Sequence, residues 1–144
     1  MTSTVPSTRP NTHPYDTVAW SKRRAEVGSF VAEDVEFPTS WSDAAVNIVT
    51  QKYMRVIDGV RETSLRQVID RVVNTITTWA VEIGTVLPGS EAHTFAHDLT
   101  SLLLHQRMAF NSPVWFNIGV PGVPQQGSAC FILSVDDDMR SILN

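Results

Sequence analysis

A single cysteine, Cys130, stands among these 144 residues, and its isolation excludes more than any motif present. One thiol cannot build an internal disulfide framework or a multi-thiolate metal site. Basic residues are also scarce: eleven Lys and Arg against fifteen Asp and Glu give a formal net charge of −4. No basic stripe is available to neutralise phosphates, so nucleic acid is not an expected partner. The short cluster Ser21-Lys22-Arg23-Arg24 reads instead as a solvated helix face. No apolar run approaches the ~18–20 residues that cross a bilayer. The start, Met1-Thr2-Ser3-Thr4-Val5-Pro6, has no basic stretch leading into an apolar one. A cytoplasmic protein without a membrane partner, its thiol reduced at rest, is the expectation. Glycine-rich nucleotide loops, a Gly-x-Ser-x-Gly elbow and paired carboxylates on a core helix are absent too.

What is present is globular in character, with 42% hydrophobic and 18% charged residues. That charge lies below the roughly one quarter usual for a protein surface. With Trp20, Trp41, Trp79 and Trp115, it points to apolar surface covered by something outside the chain. Residues 1–15 hold little to bury and read as a flexible tail. Asp16–Val27 reads as a short helix, and Ser29–Phe37, where Phe30, Val35 and Phe37 alternate with acidic residues, as a strand ending at Pro38.

From Ser40 the pattern is helical. Ser40 reads as an N-cap with Asp43 three positions on, followed by Trp41, Ala44, Ala45, Ile48, Val49 and Tyr53 at helical spacing. Gly59 breaks it. A long helix is predicted from Thr63 to Ile83, with Leu65, Val68, Ile69, Val72, Val73, Ile76, Trp79 and Ile83 on one face and Gly84 at its end. Ser90 reads as the cap of another helix reaching Met108, with Phe95, Leu99, Leu102, Leu103 and Gln106 inward. Asn111-Ser112-Pro113 then reads as a turn, Val114–Ile118 as a strand or buried connection, and Gly119–Gly127 as a loop. Cys130–Val135 reads as a strand, and Asp136-Asp137-Asp138 as the start of a last helix.

Four groups could carry chemistry. Cys130 follows Gly127-Ser128-Ala129, small enough for a ligand to approach the backbone, so it is either a redox or nucleophilic thiol or a buried inert one. Ser112 either bonds its own turn or offers a hydroxyl to a phosphate, with nearby amides as further donors. His93 and His97 share a helix face, but a third ligand is lacking, so surface histidines are expected there and at His105. Asp136, Asp137 and Asp138 could bind a hard cation or ribose hydroxyls, or simply cap a helix.

Several motifs in order carry a resemblance. They are Asp34-Val35-Glu36-Phe37-Pro38 with Trp41-Ser42, Asn47-Ile48-Val49 with Lys52-Tyr53, and Leu65 through Val73. They continue with Leu102 through Gln106, Ala109 through Asn117, and Pro124 through Ile132. Over about residues 16–144 the chain resembles the N-terminal domain of the long-form, vitamin B12-dependent (class II) ribonucleotide reductases. The fold this implies is mainly α: a helical domain over 16–109, leading into the first strands of a ten-stranded α/β barrel that begins within 110–144 and is not completed here.

The resemblance implies reduction of ribonucleotides, diphosphates by expectation, to 2′-deoxyribonucleotides through a thiyl radical generated with adenosylcobalamin. Cys130 would be the first member of the reducing cysteine pair. Ser112 would help hold the substrate phosphate, Ser128 and the main chain of Ala129 would meet the substrate, and Asp137 would belong to the deoxynucleotide effector region. The thiyl-radical cysteine, the second redox cysteine and the cobalamin surface do not occur in these residues, so the chain is expected to be inactive alone. Its expected partners are the C-terminal remainder of the reductase, a second copy in a homodimer, and a thioredoxin-like reductant. Two other readings stand beside this one: a non-catalytic helical interaction or regulatory domain, and the matching part of an iron-dependent class I large subunit.

Overall fold

The computed structural model describes residues 12–129. The expected strand from Cys130, the expected last helix and the residues Cys130 and Asp137 lie outside the described residues, as does most of the predicted tail. Within 12–129 the architecture is mixed rather than mainly α. Two small antiparallel hairpins alternate with four helices, and no ten-stranded barrel is seen among the described residues.

A 3₁₀ turn at Pro14–Thr17 comes first, with Pro14 and Tyr15 buried. The stretch expected to be helical then forms a strand, β1 (Trp20–Val27), paired with β2 (Phe30–Pro38). Gly28, at φ +59°, makes the two-residue turn with Ser29, and that turn sets the pairing. Opposite Arg24 stand two residues, Glu33 and Asp34, and Asp34 takes a left-handed φ of +56°. This bulge bends the ribbon so that Ala25, Val35 and Phe37 face the core. The Lys22–Arg24 cluster therefore lies on a strand.

Helix α1 (Asp43–Ile48) is capped by Ser42, not Ser40: the Ser42 hydroxyl accepts from the Ala45 amide. It runs into a five-residue π-helical turn, Val49–Tyr53. The Gly59 break is a second hairpin, β3 (Val56–Ile57) and β4 (Val60–Arg61), turned by Asp58 and Gly59 at positive φ.

Helix α2 (Leu65–Glu82) begins with a complete capping box. Ser64 accepts from the first-turn amides, while the Gln67 side chain accepts from the Ser64 amide. Leu65, Val68, Ile69, Val72 and Val73 form its buried face, but Trp79 and Ile83, expected on that face, are exposed. Helix α3 (Ser90–Leu104) packs on α2 through Leu99, Leu103 and Leu104. Gly89 occupies its cap position, and the helix stops four residues before Met108, where Gln106 turns left-handed (φ +54°). Leu102 and Gln106 accordingly point outward.

Residues 111–118, expected as a turn followed by a strand or buried connection, form a short helix, α4 (Ser112–Asn117), with Pro113 in its first turn, where the missing N–H costs nothing. Val114 and Ile118, four residues apart, pack on Val72 of α2. Gly119–Gly127 is a loop, as predicted. No described helix is long and apolar enough to cross a membrane.

Candidate functional site

A buried ion pair organises the face of the molecule that carries Ser112. Arg71 on α2 and Glu62, just after β4, both have side chains only 4% exposed, and Arg71 Nε donates to Glu62 Oε1 at 2.8 Å. Two charges in the interior are tolerable only if their remaining hydrogen-bonding capacity is met. It is met here by backbone. Arg71 Nη1 donates to the Ile118 carbonyl at 2.7 Å, and Nη2 is shared among the Tyr53 and Trp115 carbonyls and Glu62 Oε2, each at 3.3 Å. Glu62 Oε2 also accepts from the Arg55 amide at 2.8 Å. One guanidinium thus ties the end of the π turn, the end of α4 and β4 to a single point on α2.

Ser112 occupies the first turn of α4. Its hydroxyl lies 3.2 Å from the Tyr53 hydroxyl, and both residues are half-buried. The Tyr53 ring stacks on Trp115, with centroids 6.0 Å apart and planes at 28°, and also meets Phe116 at 5.6 Å. The Arg55 guanidinium sits 4.8 Å over the Phe116 ring. Burial, reinforced by the nearby positive charge of Arg71, lowers the Arg55 pKa. The charges acting on Arg55 are those of Arg71 and Arg61, both like its own, and the carboxylate of Glu62, which already pairs with Arg71.

The chain then leaves α4 under tight constraint. Gly119, at φ +72°, runs against α2. The Gln125 side chain accepts from the Gly119 amide at 2.7 Å and donates to the Val120 carbonyl at 2.9 Å, closing the loop on itself. Asn117 donates to the Gln126 carbonyl at 2.9 Å. A Cβ on Gly127 would touch Val114 at 3.4 Å. These contacts bring the residues leading to Ser128 and Ala129 back beside the helix that carries Ser112. A cavity of about 360 Å³ opens beside this face, lined by Trp41, Tyr53, Leu103, Met108 and Trp115 among others.

The histidines do not build a metal site among the described residues, where no group of three His, Cys, Asp or Glu converges. His97 lies 6.0 Å from His93, ring to ring, and its Nε2 is 2.9 Å from the Thr12 carbonyl. His105 Nε2 is 3.4 Å from the Thr17 hydroxyl.

The sequence model of a family described as class II vitamin B12-dependent ribonucleotide reductase matches residues 17–61 and 56–106. The chain belongs to that family. It is 50% identical to the vitamin B12-dependent ribonucleotide reductase of Streptomyces clavuligerus over 95% of its own length, and equally so to that of Streptomyces coelicolor. The corresponding reductase of Rhodopirellula baltica is 38% identical over 90% of the chain. The chain spans about 15% of the length of these relatives. Membership of this B12-dependent family favours the class II reading over the iron-dependent one. Sequence reading singled out Ser112 and residues 127–129 as candidates, whereas Tyr53, Arg71, Asn117 and Gln125 entered only as members of the family motifs or of a helical stripe, and Glu62 not at all. The Leu65–Val73 run contains Arg71, yet its partner is brought to it by a hairpin and not by helical spacing, so only the fold brings out the pair.

Proposed function

We propose that this chain is the substrate-side N-terminal part of an adenosylcobalamin-dependent ribonucleoside-diphosphate reductase. In this reading residues 16–109 form the helical domain and residues 110–144 begin the catalytic barrel. Identity to B12-dependent reductases through 95% of the chain carries the reading. Ser112 supplies a hydroxyl to the substrate phosphate, and the Arg55 guanidinium over the neighbouring Phe116 ring favours an anion there. Ser128 and the main chain of Ala129 face the substrate, and Asp137 serves the deoxynucleotide effector.

Cys130 is one of two reducing thiols. Together they give two electrons and two hydrogens to the substrate: the 2′-hydroxyl leaves as water, a hydrogen replaces it, and the sulfurs close to a disulfide. A thioredoxin-like protein reopens that disulfide. The cobalamin, the radical cysteine and the second redox cysteine belong to the rest of the reductase, which acts as a homodimer.

The test is reconstitution with the remaining polypeptide, followed by an assay of adenosylcobalamin-dependent deoxynucleotide formation. Cys130→Ser is expected to abolish multiple turnover with an external reductant. Normal cycling of that variant overturns the redox role.

A further inference from the structure

The hydroxyls of Tyr53 and Ser112 carry two hydrogens, and the 3.2 Å bond between them uses one. One O–H in this half-buried pair is therefore not used within the pair itself. A phenol is far more acidic than an aliphatic alcohol, so Tyr53 is the better donor and the hydrogen left over is that of Ser112. A hydroxyl that accepts one bond donates the next more strongly.

Tyr53 is also held for such a task. Its ring is stacked on Trp115 and against Phe116, and its carbonyl accepts from the buried Arg71. The π turn Val49–Tyr53 delivers it, a rare conformation that recurs at functional sites. The wider turn places the last residue of the segment on α4, and the chain leaves the helix immediately after it, at Met54.

Resting on the phosphate-site reading of Ser112, we propose that Tyr53 is a positioning residue for that site. Its hydroxyl donates to Ser112 Oγ and turns the serine hydrogen toward a phosphate oxygen of the ribonucleotide. The tyrosine acts through the serine and does not touch the reacting carbons.

The experiment compares Tyr53→Phe, Ser112→Ala and the double variant in the complete reductase carrying these residues. Phenylalanine keeps the ring against Trp115 and Phe116 and removes only the hydroxyl. Loss of one such bond is expected to raise KM for the ribonucleotide about fivefold, with kcat little changed. Ser112→Ala should raise KM at least as much, and the double variant should be no worse than Ser112→Ala alone. A competing ribonucleoside without phosphates should bind wild type and Tyr53→Phe equally. If Ser112→Ala leaves KM unchanged, the phosphate-site reading itself falls, and the tyrosine's role with it. If Ser112→Ala raises KM while Tyr53→Phe does not, or if the two losses add, the positioning role is overturned and the serine site stands.

Discussion

At Gly119, a Cβ would lie 2.6 Å from the Arg71 carbonyl oxygen and 2.7 Å from the Arg71 Cγ, at a φ of +72° that side chains avoid. Backbone cannot yield as a flexible side chain can, so Gly119→Ala combines a clash with dihedral strain. It is expected to destabilise the fold by about 1–3 kcal/mol, read as a lower denaturation midpoint. Gly28 and Gly59 also have positive φ but face open space, so the steric part of the cost is particular to Gly119. Single residues were unevenly legible in the sequence. Ser112 stood out through the family motif it lies in, since a hydroxyl before proline by itself favours a local backbone bond. Tyr53 looked like one more member of a helical stripe, because nothing in its neighbours announces a π turn.

The elements were legible where the signal is local. The buried face of α2 from Leu65 to Val73 follows from spacing alone, and the start of the helix was placed within two residues. Where a longer-range pairing decides, local pattern misled. β1 holds few core residues and exists because the Gly28 turn offers β2 as a partner. The apolar run of α4 reads as a strand or a buried connection until Val114 and Ile118 are seen to share one face on Val72. The Glu62–Arg71 pair joins these pieces, and removing one partner leaves the other charged and buried. Glu62→Gln is therefore expected to cost about 3–5 kcal/mol, measured by denaturant unfolding. Amide protection around Ile118 should fall with it, since the same guanidinium holds that carbonyl.

Across the whole molecule, the N-terminal turn is fastened to α2 by a titratable group. The Tyr15 hydroxyl donates to Asp70 at 2.6 Å, and burial first, then this bond, raises its pKa well above the ordinary value of 10.0. Below about pH 10 the phenol is neutral in both folded and unfolded chains, and its contribution is complete. Above that, the unfolded chain ionises first, and stability falls by up to about 1.4 kcal/mol per pH unit. Unfolding midpoints followed from about pH 9 to 11 should show this fall, and Tyr15→Phe should make it shallower. The sequence could not show this link, which spans 55 positions.

Helix α4 has six residues, no side-chain cap and few buried side chains of its own. So short a helix is not stable in isolation. Its anchors are Val72 and Arg71, both on α2, so α2 must be standing before α4 has anything to hold. The segment bearing Ser112 is consequently expected to form only once the helix beneath it is in place.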